Sequence, residues 1–589
     1  MPAHFNDNFW TENGRQLRRP TLDCLVMDSM KYETLLFQIN EEIGYDDTGI
    51  WIINEERVAL KFNTFFDIAI NRNVALAITP EYSCPWHILT NILQQDKFPT
   101  SGKIWVLGMA SIHPLQLKQI INDNDNITWI YDEVLIDEKI QTAPNKFFDP
   151  VCSLLNTIDN NGTPKKVIII QFKNYPFGGA DSHWERDNLI LGRTFYVIKN
   201  QFESVRLITL ICSDTLDNLN FRDLQDGMFI TAPLMILHIQ LNQKPFANNY
   251  KLYRNILFQM GTKDSNKEVI CLNWARNVQI FGEDKVFNKV AGSALYLKSQ
   301  KLEKTDDCIN LNHKRGMYYL NWESKRAHVY LLNFDEYIYI IENTKASQEG
   351  ADATQFNRSG PNLSTTYRWI ENTWQIENNR VDDGFDTLVY EIENGQVNLD
   401  CLRQNENYLD IERMVQFCSG EIKFDKEWFL VSNMISCIVD DPEETTRVIF
   451  TQQNIENKMQ ERKKKLNNYA ILKHSIITNP NNLPIGMVNP ELKFSEVSKM
   501  ESKYLINLHS EDGGMNATAV YLGSTSETEA LKKQNKISDL FNESQYGKTV
   551  MVWYESVLGR QRIPAIFSKP SISDTTNKKS NSISKTKEL

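Results

Sequence analysis

The stretch VRLITLICSDTLD, residues 205–217, decides how the first half of the chain is interpreted. An apolar run typical of a buried strand ends in Cys212, and the polar residues Ser213 and Asp214 follow at once. A buried free cysteine usually behaves as an inert small hydrophobe, whereas a cysteine at the carboxyl end of a strand can meet water and act as a nucleophile. The second interpretation requires a base and a cation nearby, so we looked for both elsewhere in the sequence.

The composition is that of a globular protein with more than one domain. The chain has 589 residues, too many for one ordinary core, and 41% of them are apolar and 24% charged. The net charge of −11 excludes an overall basic surface for nucleic acid, although a local basic patch stays compatible with it. The nine cysteines form no CxxC pair, which favours a reducing compartment and argues against a zinc site.

The sequence contains no segment typical of a signal peptide or a membrane span. Its amino-terminal residues lack an apolar core, and the most apolar window, 227–241, is interrupted by Pro233, His238 and Gln240. We therefore expect a soluble cytoplasmic protein without a membrane partner. His238 lies inside the apolar run, so we expect a satisfied core histidine and not a catalytic partner of Cys212.

The chain divides into segments of different composition. Residues 1–20 are an amino-terminal extension, and residues 21–345 alternate short strands with helices, which predicts an α/β domain. Residues 346–366 are polar and rich in turn formers, so they predict a protease-sensitive linker. Residues 367–568 predict a mixed α+β domain, including a charged surface helix, and residues 569–589 lack aromatic side chains and are expected to be disordered.

A base and a cation for Cys212 stand at the ends of two other strands. In VALAITPEYSCP, residues 74–85, Glu81 follows a buried run, and in KVIIIQFKNYP, residues 166–176, Lys173 ends another. In an open α/β sheet the carboxyl ends of the strands converge on one crevice, which would bring the three side chains together. A carboxylate can take the thiol proton, and an ammonium can stabilise an oxyanion.

These motifs, in this order, resemble those of the nitrilase (carbon–nitrogen hydrolase) superfamily over about residues 21–345. AITPEYSCP is similar to the strand–Pro–Glu motif of that family, QFKNYP to its lysine motif, and LITLICSDTLD to its cysteine motif, in which an acidic residue follows two positions later. GKIWVLGMASI and VAGSALYL are similar to its glycine-bearing segments. The resemblance implies an α-β-β-α sandwich that dimerises through helices, followed here by the mixed α+β carboxyl-terminal domain.

The resemblance also implies a reaction. Glu81 would accept the proton of Cys212, whose thiolate would attack a small-molecule amide or nitrile, and Lys173 with the backbone N–H of Ser213 would hold the oxyanion. A covalent thioester would then be hydrolysed, or the acyl group passed to an amine, without a cofactor or metal. The expected function is thus the hydrolysis of non-peptide carbon–nitrogen bonds by a homodimer.

Three further residues bear on this site. Many family members have a second glutamate that orients the lysine and contacts substrate, and Glu185 is either that residue or a surface carboxylate. Ser213 departs from the family, which usually has a larger residue after the nucleophile, and this leaves the substrate open. Cys84, close to Glu81, is expected to be structural.

A second class of function stays open at this stage. A divergent domain of this kind can serve as a non-catalytic scaffold or sensor in a multi-component assembly, such as a bacterial defence system. Residues 367–568 would then contact a protein or nucleic acid, whose identity the sequence does not give. A thiol-reactive probe separates the two classes, because a catalytic thiolate is alkylated fast near neutral pH and a structural cysteine is not.

Overall fold

The fold was analysed in a computed structural model of the chain. It describes residues 4–29, 31–177, 183–202, 204–216, 233–245, 248–259, 267–280, 286–287, 292–298, 301–303, 306–322, 327–347, 356–393, 397–420, 448–449, 456–484, 487, 492–494, 507–510, 516–540 and 549–566. The predicted disordered tail, 569–589, lies outside these residues. The chain forms two compact units, the first comprising 1–304, 311–381 and 440–443, and the second 305–310, 382–439 and 444–589.

The first unit contains two large β-sheets and seven described helices. Its strands are β1 His4–Asn6, β2 Tyr32–Gln38, β3 Ile43–Asp46, β4 Gly49–Ile52, β5 Leu76–Ile78, β6 Ile104–Gly108, β7 Thr128–Ile130, β8 Pro150–Ile158, β9 Pro164–Phe172, β10 Thr194–Ile198, β11 Arg206–Ile211, β12 Leu234–Ile239, β13 Lys267–Leu272, β14 Val278–Gln279, β15 Val286–Phe287, β16 Ala294–Lys298, β17 Lys301–Glu303, β18 Met317–Trp322, β19 Ala327–Leu332, β20 Tyr337–Ser347, β21 Phe356–Ile370 and β22 Thr373–Ile376. Its helices are α1 Glu55–Asn71, α2 Trp86–Gln94, α3 Pro114–Asp123, α4 Glu133–Thr142, α5 His183–Asn188, α6 Asn248–Gln259 and α7 Asp306–Lys314, the last of which begins in the second unit.

The strands form sheets whose order differs from their order in the chain. Sheet A runs β1-β10-β11-β12-β13-β16-β19-β18, and sheet B runs β17-β21-β20-β2-β5-β6-β8-β9-β7, with β22 paired to β21. Parallel pairs, β11 with β12 and β12 with β13 in sheet A and β2 with β5 and β5 with β6 in sheet B, lie at the centre of each sheet. Their near-continuous apolar sequences are typical of strands that are covered on both faces.

The two sheets pack against each other, and helices cover their outer faces. Between the sheets, the Gln171 amide of β9 donates to the Thr209 carbonyl of β11, and its oxygen accepts from Tyr196 N of β10. Outside sheet B, Phe37 of β2 packs on Phe62 of α1, with 5.1 Å between the ring centroids. Helix α6 packs on β13 of sheet A. The first unit is therefore the predicted α-β-β-α sandwich.

The predicted linker, 346–366, is wrong over residues 356–366. These residues belong to β21, which pairs with β20 in antiparallel register from Tyr337–Arg368 to Ser347–Phe356. Asn362, Ser364 and Thr365 are partly exposed, which suits their polar side chains, and the turn-forming residues Gly360 and Pro361 lie inside the strand. The compact first unit continues to Val381. The central part of the predicted linker, 348–355, lies outside the described residues.

The second unit has both helices and strands, as predicted. Its strands are β23 Leu492–Phe494, β24 Leu508–Ser510, β25 Asn516–Ser524, β26 Val550–Ser556 and β27 Gly559–Arg562, which form one sheet in this order. Its helices are α8 Phe385–Glu393, α9 Asp400–Arg403, α10 Tyr408–Cys418, α11 Glu456–Ile471, which a π-helical turn Leu472–Ile476 continues, and α12 Glu527–Leu540. The expected charged surface helix, α11, exposes Glu461 and Lys464 on one face and buries Arg462, Leu466 and Tyr469 on the other.

None of the described helices is both long enough and apolar enough to cross a lipid bilayer.

We predict that limited proteolysis will cleave the exposed turn at Asn378–Asn379, between β22 and α8, before it cleaves β21. Both asparagines are exposed, whereas the backbone of β21 is held by its pairing with β20 and β22. Mass spectrometry of the first fragments measures this. Early cleavage within 356–370 would contradict the structure.

Candidate functional site

The three residues singled out in the sequence all follow strands. Glu81 lies three residues after β5, Lys173 directly after β9, and Cys212 directly after β11. β5 and β9 run in the same direction within sheet B, so their carboxyl ends share one edge. β11, however, belongs to sheet A. The three residues therefore come from two sheets, and not from one edge of an open sheet as predicted.

Asp214 joins the lysine turn of sheet B to the cysteine turn of sheet A. One of its carboxylate oxygens accepts hydrogen bonds from Asn174 N at 2.7 Å and Tyr175 N at 3.0 Å, and the other accepts from Ile211 N at 3.0 Å. Burial raises the pKa of Asp214 to about 7, although these three backbone donors oppose the rise. The acidic residue two positions after the cysteine thus fixes Lys173 and Cys212 relative to each other.

The Lys173 ammonium is buried and surrounded by carboxyl groups. Its Nζ donates to Glu185 Oε1 at 2.5 Å and to Glu81 Oε1 at 2.8 Å, and lies 3.5 Å from Asp149 Oδ2. Burial by itself lowers the pKa of the lysine, but the charges of Glu185 and Glu81 outweigh it and raise that pKa well above its usual value. Lys173 therefore stays a cation.

Contacts from both sheets hold Glu81. Its Oε2 accepts from Leu241 N at 2.5 Å, just after β12, and its backbone carbonyl accepts from the Trp274 indole at 2.7 Å, just after β13. Gly108, at the end of β6, lies so close that a Cβ there would be 2.0 Å from the Pro80 carbonyl oxygen. Burial raises the pKa of Glu81, while the Lys173 charge opposes the rise, so this carboxylate is a better base than an exposed one.

Cys212 stands on a strained turn. Its φ is +39°, in the left-handed region that residues other than glycine rarely adopt, and such a conformation costs on the order of 1–3 kcal/mol. Among the described residues, the hydrogen-bond partner of its Sγ is the Tyr250 hydroxyl at 3.9 Å. Burial raises the pKa of the thiol well above its usual value, the Glu81 charge adds to this, and the Lys173 charge opposes it. Glu81 and Lys173 thus act on the sulfur through their charges.

His238 holds the cysteine turn through the backbone carbonyl of Cys212. Its Nε2 donates to the Cys212 carbonyl at 3.0 Å, and because burial lowers its pKa to about 3, its Nδ1 is unprotonated and accepts from the Tyr253 hydroxyl at 2.8 Å. Both ring nitrogens are therefore satisfied, as predicted for a core histidine, and neither contacts the thiol. Ser213 completes the turn, since its hydroxyl donates to the Tyr175 carbonyl at 2.7 Å.

Glu185 lies in the site and not on the surface. Besides Lys173, its carboxylate accepts from the Tyr82 hydroxyl at 3.0 Å and from Phe177 N. Tyr82 itself has a φ of +57°, so the residue after Glu81 is a second strained position beside the carboxylates. Cys84, in contrast, is buried and its thiol faces the Pro85 carbonyl, outside this cluster.

Two residues of the site were missed in the sequence. Asp149 directly precedes β8, whose first residue pairs with the last residue of β9. The signal in the sequence was an acidic residue just before a strand that is antiparallel to the strand ending at Lys173. Tyr250 is in α6, and no local motif distinguishes it from other helical tyrosines. Its place beside Cys212 depends on how α6 packs against the cysteine turn.

The carboxylates of Glu81, Asp149 and Glu185 are the described group that could hold a metal ion, since one oxygen from each lies within 4.8 Å of the others. Lys173 Nζ already lies within 3.5 Å of all three, so the position that suits a cation has an ammonium in it. What this arrangement can do is hold a thiol, a carboxylate base and a fixed positive charge in a dry site.

No protein-family model and no curated protein sequence matches the chain. Among solved structures, it is similar to a glutamine-dependent NAD+ synthetase from Acinetobacter baumannii, with 10% identity and a TM-score of 0.31 over 69% of this chain and 58% of the synthetase. It is also similar to a CN-hydrolase superfamily protein from Xanthomonas campestris, with 10% identity and a TM-score of 0.28 over 45% of this chain and 82% of that one. A Nesterenkonia amidase of the nitrilase superfamily is similar too, with 11% identity and a TM-score of 0.24 over 46% of this chain and 83% of the amidase.

The Xanthomonas campestris protein is described as a CN-hydrolase superfamily protein, and the Nesterenkonia amidase as a member of the nitrilase superfamily. This chain spans less than two thirds of the length of the synthetase. Because the identities are near 10% and the TM-scores are below 0.5, the likenesses carry no argument about activity or substrate, which depend on the geometry described above.

We predict that Gly108→Ala will displace Glu81 and slow the alkylation of Cys212 by iodoacetamide. The added Cβ overlaps the Pro80 carbonyl, and an overpacked site of this kind costs about 1–3 kcal/mol. Gly162→Ala is the control, because its Cβ meets nothing within 4 Å and only its positive φ is strained. Equal alkylation rates in the two variants would show that Gly108 does not position the carboxylate.

We predict that Tyr250→Phe will slow the alkylation of Cys212 roughly tenfold, because a hydrogen bond to the developing thiolate is lost while the ring is kept. Tyr131→Phe, directly after the edge strand β7 and beside Lys118, is the matched control. An unchanged rate in Tyr250→Phe would mean that the hydroxyl does not stabilise the thiolate.

Proposed function

We propose that the first unit is a hydrolase of non-peptide carbon–nitrogen bonds, acting on a small amide or nitrile through a covalent thioester. The observation that carries this proposal is that Asp214 joins the strained turn of Cys212 to the turn of Lys173, whose buried ammonium is hydrogen-bonded to Glu81. Strained backbone and buried charge both cost stability, and such features concentrate at functional sites.

The first step is removal of the thiol proton. Because the pKa of Cys212 is raised, the resting sulfur is protonated and a base is required. Glu81, whose own pKa is raised by burial, accepts this proton as the sulfur attacks the amide or nitrile carbon. The Tyr250 hydroxyl donates to the sulfur as its negative charge develops.

The second step is stabilisation of the tetrahedral intermediate. Its oxyanion forms beside the Lys173 ammonium and the backbone N–H of Ser213, which follows the nucleophile. Glu185 keeps the ammonium in place through a 2.5 Å hydrogen bond, so we assign it a positioning role and place it at the edge of the substrate site.

The last steps release the product. With an amide, Glu81 returns its proton to the departing nitrogen, the carbon–nitrogen bond of the tetrahedral intermediate breaks, and ammonia or an amine leaves while the thioester remains. A nitrile would first give a thioimidate, whose nitrogen takes the proton from Glu81, and a water must add to its carbon before ammonia leaves and the thioester forms. Glu81 then takes a proton from water, which attacks the thioester carbon, and Cys212 recovers its thiol. An amine in place of water would give acyl transfer at the same site.

The setting of the reaction is part of the proposal. We propose a homodimer in the cytoplasm that uses no cofactor, with the second unit selecting substrate or partners. The eight described cysteines are all free, which suits a reducing compartment.

We predict that Cys212→Ala and Glu81→Gln will each lower turnover of a responsive amide or nitrile about a hundredfold or more, because each removes a group that acts in the transition state. Ammonia release from a panel of short amides and nitriles measures this. Cys84→Ala is the matched control, since Cys84 is buried outside the cluster.

Glu81→Gln has a second readout that needs no substrate, because it should also slow alkylation of Cys212 near neutral pH. If Cys212 is alkylated no faster than Cys84 in the unaltered protein, the hydrolase proposal fails. The non-catalytic scaffold or sensor then takes its place.

A further inference from the structure

We infer that Asp149 is protonated in the resting site and donates a hydrogen bond to Glu81, so that it positions Glu81 as a carboxylate ready to accept the thiol proton. This role for Asp149 rests on the proposed function, since it concerns the base of that reaction. Its protonation can be measured independently of the reaction.

The position of Asp149 follows from strand pairing. Asp149 directly precedes β8, and the first residue of β8, Pro150, pairs with the last residue of β9, Phe172. Asp149 therefore lies beside Lys173, which directly follows β9 in sheet B. Its backbone carbonyl accepts from Lys173 N at 2.9 Å. The side chain is only 1% exposed, and one of its oxygens lies within 4.8 Å of a carboxylate oxygen of both Glu81 and Glu185.

Neither carboxylate oxygen of Asp149 accepts a hydrogen bond from any described residue. A buried ionised carboxylate without donors is costly, and its 3.5 Å approach to Lys173 lacks hydrogen-bond geometry. Two ionised carboxylates cannot hydrogen bond to each other, because each is only an acceptor. A proton on Asp149 removes both difficulties, since the acid then donates to Glu81.

The distribution of donors shows which carboxyl group holds the proton. Glu185 accepts from Lys173, Tyr82 and Phe177, and hydrogen bonds of this kind favour the charged form. Glu81 accepts from Lys173 and from one backbone N–H. Asp149 accepts from none, so its carboxylate form is the one that hydrogen bonds stabilise least. Burial, and then the charge of Glu81, raise its pKa well above the usual value.

Protonation of Asp149 leaves less unbalanced negative charge around the Lys173 ammonium than its ionisation would. The titratable groups that face Asp149 are Glu81, Lys173, Glu185 and the Tyr82 hydroxyl. With Asp149 neutral, two carboxylates face one ammonium and the thiol is uncharged. When Cys212 gives its proton to Glu81, the sulfur gains the negative charge that Glu81 loses, and the proton of Asp149 stays where it is. The net charge of the site is unchanged through the step.

The proton can be observed by infrared spectroscopy of the full chain at about pH 9, where Asp214, whose pKa burial raises to about 7, is ionised and gives no such band. A protonated buried carboxyl group has a carbonyl stretch separate from that of carboxylates, and labelling aspartate side chains with carbon-13 should shift this band. Asp149→Asn should remove it, whereas Asp137→Asn, an exposed residue of α4, should leave it. A band that shifts on labelling glutamate instead would place the proton on Glu81 or Glu185 and overturn the inference, even if Asp149→Asn does not fold.

The positioning role has its own readout, the pH profile of Cys212 alkylation. In the unaltered protein, once the pH is high enough to ionise Asp149, the alkylation rate of Cys212 should rise with pH less steeply than that of an ordinary thiol. The negative charge of the ionised Asp149 then disfavours the Cys212 thiolate. Asp149→Asn has no proton to lose and should not show this flattening. Identical profiles would overturn the positioning role.

The two proposals can fail separately. An aspartate band together with unchanged alkylation in Glu81→Gln would refute the proposed function and leave the protonation of Asp149 standing. An infrared band that shifts on labelling glutamate, together with slower alkylation in Glu81→Gln, would refute the protonation of Asp149 and leave the proposed function standing.

Discussion

The buried ammonium of Lys173 is the interaction on which the rest of the site depends. Three carboxyl groups, Glu81, Asp149 and Glu185, lie within 3.5 Å of its Nζ, and all four side chains are excluded from water. An ammonium buried without carboxylates would lose its proton, and the carboxylates would be costly to bury without it. Each charge in the cluster therefore depends on the others, and the electrostatic field of the cluster acts on Cys212.

The site spans two sheets, so its geometry depends on the hydrogen bonds that join them. Asp214 bridges the turns after β9 and β11, while the Trp274 indole and Leu241 N reach Glu81 from sheet A. The positive φ of Cys212 persists because His238 holds its carbonyl and Asp214 holds the strand before it. Both His238 and Asp214 are buried, so the strain at Cys212 is maintained by groups that cannot exchange their hydrogen bonds with water.

The crowding at the strand ends explains the glycines that accompany the motifs. Gly108 allows β6 to approach the Pro80–Glu81 backbone, and a Cβ at Gly192 would lie 2.6 Å from the Phe172 carbonyl oxygen, beside Lys173. Neither glycine has a positive φ, so the requirement at both positions is space and not backbone conformation. Glycine at these points is what lets two charged turns come within hydrogen-bonding distance.

The sequence by itself predicted the order of strands and helices in the first unit and that Glu81, Lys173 and Cys212 follow strands, because apolar periodicity and a polar residue after a strand are local features. It misjudged the 356–366 segment, since a strand with partly exposed side chains has the composition of a linker. The tertiary structure alone decided that Cys212 comes from the other sheet, that Glu185 contacts Lys173, and that Asp149 and Tyr250 belong to the site. These contacts join residues far apart in the chain, and they arise from strand pairing and packing across the sandwich, which no local pattern encodes.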